Sequence, residues 1–239
     1  MPPTLNTTLI RQPRALQAKV LRLPSGTRPA LYLLENPHGK VVVKDYRTNG
    51  PLFRNIVGRV LVLREKYAYQ RLGGIAGVPA FYGKIDSFTL CIAYVPGSNL
   101  EEIEKNGGPP RGFFPSLENL IEEIHGKGLV HCDIKKAANV MADKEGRPWL
   151  IDWAASLSKS ECRIFPLNHL YRRLLVDDKK ALIKFMLRSV PEAVSSGEME
   201  KYLKRDPVEV FVRAARDIFR TFLKRSCLKP RKPSFPLRP

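Results

Sequence analysis

The segment between residues 128 and 154 carries the side chains best suited to chemistry. It contains, in order, Asp133, Lys135, Asn139 and Asp152. A carboxylate can orient or deprotonate a hydroxyl group, and a lysine can neutralise negative charge that develops during a reaction. Amide and carboxylate oxygens are hard ligands of the kind that Mg²⁺ prefers. These residue types, in this order, indicate phosphoryl transfer to a hydroxyl group.

The same segment resembles the catalytic loop and metal site of protein kinases. His131-Cys132-Asp133, Asn139 and Asp152 are similar to the H-R-D, Asn and D-F-G elements of that superfamily. The resemblance implies that Asp133 orients the attacking hydroxyl group and that Lys135 neutralises the γ-phosphoryl group. It also implies that Asn139 and Asp152 bind Mg²⁺. The thirteen positions from Asn139 to Asp152 accommodate a two-stranded hairpin that returns the chain to the same metal.

Candidate nucleotide contacts lie nearer the N-terminus. Val41-Val42-Val43-Lys44 resembles the V-A-I-K strand whose lysine holds the α- and β-phosphates of ATP. Glu65 is the only glutamate between Lys44 and Glu101, and it lies on the next predicted helix, so we expect it to pair with Lys44. Gly26 is the one glycine in the position of a phosphate-covering loop. A turn with no nucleotide role fits that segment equally well.

Strand and helix signals predict the elements that position these residues. Strands are predicted at 30–34, 40–44, 80–85, 89–95, 140–141 and 149–151, and helices at 53–72, 116–125 with Ser116 as N-cap, and from about 167 onward. The hinge is predicted near Tyr94–Ser98, which makes Tyr94 and Val95 further candidate nucleotide contacts. The expected fold is α+β and bilobal, protein-kinase-like, with a β-rich N-lobe carrying one helix and a mainly α-helical C-lobe.

The predicted boundaries describe one kinase domain with two flanking segments. A basic extension covers residues 1–19, the N-lobe 20–95, the C-lobe 96–228, and a disordered basic tail 229–239. The first 30 residues contain five basic residues, no acid and no continuous apolar stretch, so no secretory signal is predicted. The four cysteines are scattered and are expected to be reduced. The cytoplasm is therefore the expected location.

The charge balance predicts an anionic partner. The chain has 41 Lys and Arg against 23 Asp and Glu, a net charge of +18, and residues 201–239 hold twelve basic residues and three acids. Such a surface attracts polyanions. A helix predicted from Pro207 to about Leu223 has an apolar stripe and basic flanks, which fits either peripheral contact with an anionic membrane or packing onto the C-lobe. Charge alone supports RNA binding, and no specific nucleic-acid partner is expected.

Three features of this sequence differ from the corresponding features of regulated protein kinases. Five residues separate Asp133 from Asn139 where four are usual, with the extra residue in Lys136-Ala137-Ala138. Cys132 replaces the arginine that binds a phosphorylated activation loop. Nothing after Asp152 resembles the A-P-E segment that shapes a peptide-docking platform. Together these differences argue against a regulated eukaryotic-type protein kinase.

The pattern resembles instead the bacterial lipopolysaccharide kinases of the Kdo/heptose type, a branch near the RIO-like kinases. The resemblance covers about residues 20–190 and includes Lys44-Asp45-Tyr46-Arg47, Gly58-Arg59, Arg64-Glu65, Gly77-Val78-Pro79, Gly146-Arg147-Pro148 and Asp178…Ala181…Lys184. It implies a cytoplasmic enzyme at the inner face of the inner membrane that uses ATP and Mg²⁺ to phosphorylate a sugar of an anionic glycolipid. The alternatives are a RIO-like serine/threonine kinase with a protein acceptor and a pseudokinase scaffold.

Overall fold

The computed structural model describes residues 18–36 and 39–203. The predicted helix from Pro207 to Leu223, the tail 229–239 and most of the extension 1–19 lie outside these residues. The chain divides into two compact units, and among the described residues the divisions fall between Lys66 and Tyr67, between Pro79 and Ala80, and between Tyr94 and Val95. Among the described residues, no helix is both long enough and apolar enough to cross a membrane.

The first unit is built on a five-stranded antiparallel sheet. Its strands are β1 (Ala18–Arg22), β2 (Ala30–Asn36), β3 (Gly39–Asp45), β4 (Phe81–Lys84) and β5 (Thr89–Ala93), in the order β1-β2-β3-β5-β4. Strands β2 and β3 pair from Ala30 opposite Asp45 to Asn36 opposite Gly39, which is the hairpin that the sequence predicts. Alternate side chains such as Tyr32 and Val43 point to one buried face, because successive residues of a strand face opposite sides. Sequence analysis missed β1.

A helical stretch, α1, covers residues 51–71. It comprises one turn at Pro51–Phe53, a π-helical segment at Arg54–Gly58 and an α-helix at Arg59–Arg71. Gly58 packs closely on Tyr46, since a Cβ at Gly58 would lie 3.3 Å from the Tyr46 Cβ. Of the apolar residues whose spacing predicts this helix, Leu72 is buried, whereas Ile56, Val60, Leu63 and Tyr67 are exposed. Val62, Ala68 and Tyr69 are also buried.

The second unit is mainly helical. Its helices are α2 (Leu100–Lys105), α3 (Phe113–Gly126), α4 (Leu167–Ser189) and α5 (Ser196–Leu203). Its strands are β6 (Gly97–Asn99), β7 (Leu129–Val130), β8 (Val140–Asp143), β9 (Pro148–Leu150) and β10 (Leu157–Ser158), in sheets ordered β6-β8-β9 and β10-β7. The predicted N-cap at Ser116 is wrong. The helix begins three residues earlier, and the Ser116 amide already donates to the Gly112 carbonyl at 3.2 Å.

Gly97 allows β6 to lie directly against β8. A Cβ at this position would lie 1.9 Å from the main-chain oxygen of Ala142, so any side chain must displace the β8 backbone. We expect Gly97→Ala to lower the free energy of unfolding by about 3 kcal/mol, the cost of a badly overpacked site. Urea denaturation measures this difference. The matched control is Gly126→Ala at the end of α3, where a Cβ meets nothing within 4 Å. Equal stability of the two variants would contradict the prediction.

Candidate phosphotransfer site

Asp133 lies in the loop between β7 and β8. Its Oδ2 accepts hydrogen bonds from Lys136 Nζ and, at 3.3 Å, from Asn139 Nδ2. Asn139 Nδ2 also donates to the main-chain oxygen of Asp133 at 3.0 Å. Asn139 is buried, whereas the Asp133 side chain keeps 14% of its surface exposed. The loop therefore holds a carboxylate in a fixed position that small molecules can still reach.

The ammonium group of Lys136 lies at the Asp133 carboxylate. The residues from Ala137 to Asn139 form a 3-10 turn, and the Lys136 amide donates to the Asp133 carbonyl at 3.3 Å. This tight local fold brings Lys136 back onto Asp133. Both lysines are exposed. The role that the resemblance implies for Lys135 at the γ-phosphoryl group stays a prediction.

Asp178, on α4, fixes the backbone of this loop. Its carboxylate accepts hydrogen bonds from the main-chain amides of His131 at 2.9 Å and Cys132 at 3.1 Å. It also lies 3.2 Å from His125 Nε2. Cys132 has φ 67°, a left-handed conformation that is uncommon for residues with a Cβ. The two bonds to the buried carboxylate stabilise that conformation.

Apart from the family resemblance, one feature of the sequence indicates that Asp178 is a buried residue with hydrogen-bond partners. It falls on the same helical stripe as the buried residues Tyr171, Leu182 and Phe185. A carboxylate on an otherwise apolar stripe must find hydrogen-bond donors inside the protein, since burying it alone is costly. The identity of those donors requires the tertiary structure.

His131 connects the Asp133 loop to the chain that leads to Asp152. Its Nδ1 accepts a hydrogen bond from the Asp133 amide at 3.3 Å, so its Nε2 carries the proton and donates to the Ile151 carbonyl at 3.0 Å. The imidazole is fully buried and packs against Trp153, with the ring centroids 4.5 Å apart. This histidine positions both segments through hydrogen bonds at its two ring nitrogens.

The β8–β9 hairpin brings the two candidate metal ligands to neighbouring strand ends. Val140 pairs with Leu150, and the Ile151 amide donates to the Asn139 carbonyl at 3.0 Å. This is the hairpin that the sequence spacing predicts. Asp152 follows with φ 68° and a partly exposed side chain.

These two residues fit a magnesium ion by the chemistry of their oxygen atoms. Both bonds from Asn139 Nδ2 go to Asp133, so the amide is oriented and its Oδ1 remains a possible ligand. Asp152 supplies a carboxylate, and Mg²⁺ is commonly held by one or two protein oxygens plus water and phosphate. Within residues 18–36 and 39–203, no three His, Cys, Asp or Glu side chains cluster as a metal site, so a site held by protein alone is not found there.

Asp143 organises the turn of this hairpin. It accepts hydrogen bonds from Trp149 Nε1 at 2.9 Å and from the Arg147 amide and Nε, both at 2.8 Å. Burial opposes ionisation, but these donors outweigh it and hold the pKa of Asp143 below its ordinary value of 3.8. The charged carboxylate therefore stabilises the fold above the ordinary pKa, and this contribution is lost as the pH falls through the lowered pKa.

We expect Asp143→Ala to reduce the free energy of unfolding by about 2–3 kcal/mol near neutral pH, because it removes hydrogen bonds to a charged acceptor. Denaturation as a function of pH should show this difference shrinking as the pH falls from 3.8 through the lowered pKa, where the folded wild-type carboxylate becomes protonated. Glu145→Ala is the control, because that exposed residue only pairs with Arg147 at the surface. A pH-independent difference would contradict the prediction.

In the first unit, Lys44 and Glu65 form a buried ion pair. The Lys44 Nζ lies 2.5 Å from Glu65 Oε1, and both side chains are nearly inaccessible to solvent. Strand β3 holds Lys44 between Leu31 on β2 and Leu90 on β5, while α1 presents Glu65. Two charges buried this deeply persist only when paired. The structure brings the two residues together, and their role in nucleotide binding stays a prediction.

The turn that contains Gly26 is braced by Asn49. Ser25 and Arg28 exchange main-chain hydrogen bonds, and Gly26 has φ 55°. Asn49 is 1% exposed, and its Nδ2 donates to the carbonyls of Gly26 at 2.8 Å and Arg28 at 3.0 Å. Sequence analysis missed this residue, since a polar side chain in a loop gives no signal of burial.

Tyr94 and Val95 lie where the division between the two units falls. The Tyr94 amide donates to the Lys40 carbonyl at 3.1 Å, and Val95 is buried. The hinge predicted at Tyr94–Ser98 stays a prediction. Neither residue has a described contact that assigns it to a nucleotide, so that assignment also stays a prediction.

Comparison with known proteins supports the kinase-like fold. No protein-family model matches the chain. It is 32% identical over 155 residues to the serine/threonine-protein kinase AfsK of Streptomyces griseus, covering 62% of this chain and 19% of AfsK. It is 28% identical over 135 residues to serine/threonine-protein kinase F of Synechocystis sp., a match that covers 48% of this chain and 27% of that kinase. It is 31% identical over 119 residues to a probable casein kinase I homologue of Encephalitozoon cuniculi, a match that covers 46% of this chain and 35% of that homologue.

The chain thus spans between 19% and 35% of the length of these three relatives. The expected α+β, protein-kinase-like fold is confirmed, with a strand-rich first part and helices later. Two of these relatives are named as serine/threonine-protein kinases and one as a probable casein kinase I homologue, and the names give no support for the lipopolysaccharide branch in particular.

Proposed function

We propose that the chain catalyses ATP-dependent transfer of a phosphoryl group to a hydroxyl acceptor. The observation that carries this proposal is the hydrogen-bonded loop and hairpin of the second unit. There Asn139 bonds to Asp133, and the Ile151 amide bonds to Asn139 just before Asp152. A positioned carboxylate beside oxygen ligands for a metal is what phosphoryl transfer requires. The similarity to serine/threonine kinases supports the same class of reaction.

Each residue has a separate task in this proposal. The Asp133 carboxylate orients the acceptor hydroxyl group and accepts its proton. The Asn139 Oδ1 and the Asp152 carboxylate would hold Mg²⁺, which neutralises phosphate charge when bound. Lys44, held in place by Glu65, binds the α- and β-phosphates. The exposed ammonium group of Lys135 neutralises charge on the transferred group.

Two acceptor classes are supported by different observations. The relatives are named as serine/threonine kinases, which favours a hydroxyl group on a protein. The net charge of +18 and the absence of an A-P-E-like sequence after Asp152 favour an anionic glycolipid such as a lipopolysaccharide core sugar. For the glycolipid, the site of action would be the inner face of the inner membrane.

The test combines calorimetry with a radiolabelled transfer assay. Calorimetry should detect ATP binding that depends on millimolar Mg²⁺, and Lys44→Met should weaken that binding.

The transfer assay supplies γ-labelled ATP with casein in one reaction and with extracted lipopolysaccharide in another. Labelled casein at serine or threonine supports the protein acceptor, and labelled glycolipid supports the sugar acceptor. Nucleotide binding without labelling of either supports the scaffold alternative, and absence of nucleotide binding removes the enzyme proposal.

A further inference from the structure

Helix α1 presents a row of apolar side chains to solvent. Leu52, Ile56, Val60 and Leu63 are 51%, 59%, 49% and 52% exposed. They are spaced by four, four and three residues, so they lie on one side of the helix. This apolar row lies opposite the buried face that carries Val62 and Glu65. The helix is thus apolar on two sides, and the described residues cover only one of them.

The charges that residues 51–66 themselves carry beside the apolar row are almost all positive. Residues 51–66 contain Arg54, Arg59, Arg64 and Lys66, and their single acid, Glu65, is buried and paired with Lys44. The guanidinium carbons of Arg54 and Arg59 lie 5.6 and 5.0 Å from the centroid of the Phe88 ring, which fixes their positions. Arg59 is exposed, and Arg54, Arg64 and Lys66 are half-buried, so residues 51–66 present apolar contact area beside cations and carry no exposed carboxylate.

This charge pattern decides among the possible occupants. A second copy of the chain would bring arginines against arginines. Residues 201–239 of the same chain carry twelve basic residues and three acids, so their composition does not complement this surface. A partner with carboxylates beside its apolar residues is attracted. The four-residue spacing of Leu52, Ile56 and Val60 forms a narrow ridge that fits the groove of another helix, whereas a lipid surface suits a broad apolar face.

We propose that the apolar row is the docking surface for an acidic amphipathic helix of a partner protein. The partner's apolar residues pack between Leu52, Ile56, Val60 and Leu63, and its carboxylates pair with the flanking arginines. The same helix carries Glu65 on its inner side, so the partner would contact the element that holds the ion pair with Lys44. This inference does not depend on the proposed function, because it rests on exposure and charge alone.

The test uses a fluorescein-labelled synthetic peptide of about 18 residues, or five helical turns, with leucines at helical spacing and glutamates on both flanks. Fluorescence anisotropy with the full-length chain should show saturable binding that weakens as salt screens the charges. Ile56→Ser combined with Leu63→Ser should weaken binding at least roughly tenfold. Val176→Ser, which changes a 46% exposed apolar residue on α4, should leave the affinity unchanged.

Four results would overturn the proposal. They are absence of peptide binding, equal affinity of the wild-type and double-serine chains, equal binding of a peptide with lysine in place of glutamate, and row-dependent binding to phosphatidylglycerol vesicles in place of the peptide. A fifth result would also overturn it. If the peptide binds only after Phe211→Ser and Phe219→Ser, the C-terminal segment of the chain, and not a partner protein, occupies the apolar row. Because the row is exposed, its serine variants should keep their melting temperature, which excludes unfolding as the cause of lost binding.

Discussion

Asp133→Asn is expected to reduce the rate of phosphotransfer by roughly a thousandfold or more, within the range usual for loss of a positioned general base. The substitution keeps the shape of the side chain and an oxygen that can accept from Asn139, so the loop should remain folded. It removes the negative charge that orients the acceptor hydroxyl group. Because this carboxylate acts on the acceptor, the affinity for ATP and Mg²⁺ should stay within about twofold. Labelled phosphate transfer and calorimetry measure the two quantities on the same preparation.

The control for this experiment is Asp177→Asn. Asp177 is an acid on α4 that pairs with Arg173 at 3.1 Å and is 38% exposed, outside the candidate site. It should keep near wild-type activity. Asp152→Asn should differ from both variants, because it removes a proposed metal ligand and should weaken Mg²⁺-dependent nucleotide binding. If Asp133→Asn and Asp152→Asn lose transfer and nucleotide affinity in the same proportion, the roles assigned to them are wrong.

Features with a local cause could be predicted from the sequence. The hairpin between Asn139 and Asp152 follows from two short apolar runs around a turn that ends at Gly146, which has φ 78°. The helix around residues 53–72 follows from its periodic apolar residues and from the Gly73-Gly74 pair that ends it. The approach of Glu65 to Lys44 followed from the absence of another glutamate in that part of the chain, together with the resemblance to kinases.

Features that depend on distant contacts could not be predicted in this way. Asp178 lies 47 positions from His131, so nothing near the loop indicates what anchors it. Asn49 braces a turn 21 and 23 positions away. Helix α1 has apolar residues on two faces, and periodicity alone cannot decide which face is buried. The structure decides it, because the Glu65 side must face Lys44.

The contact between Lys136 and Asp133 also depends on a feature that the sequence did not indicate. The tight turn at Ala137–Asn139 brings Lys136 onto the Asp133 carboxylate. Residue spacing alone does not show which neighbouring side chains such a turn directs toward Asp133. The role predicted for Lys135 at the γ-phosphoryl group stays a prediction.

Asp178→Ala is expected to lower the free energy of unfolding by roughly 3 kcal/mol. It should also reduce kcat, and by a larger factor than Asp178→Asn does. Alanine leaves the buried main-chain amides of His131 and Cys132 without their acceptor, and each unsatisfied donor costs about 1–3 kcal/mol. It also releases Cys132 from its left-handed conformation, so Asp133 is no longer held in place. Asparagine keeps one acceptor oxygen and should have an intermediate effect.

The measurements are urea denaturation and steady-state kinetics at a temperature where all variants are folded. Asp178 does not touch the nucleotide in the proposed mechanism, so kcat should fall while the KM for ATP changes little. Asp177→Ala is the matched control on the adjacent position, and it removes a partly exposed ion pair with Arg173, a loss that should cost less than about 1 kcal/mol. A stability loss in Asp178→Ala with unchanged kcat would show that Asp178 supports the fold without positioning the loop. An unchanged stability would show that the two amides find other acceptors.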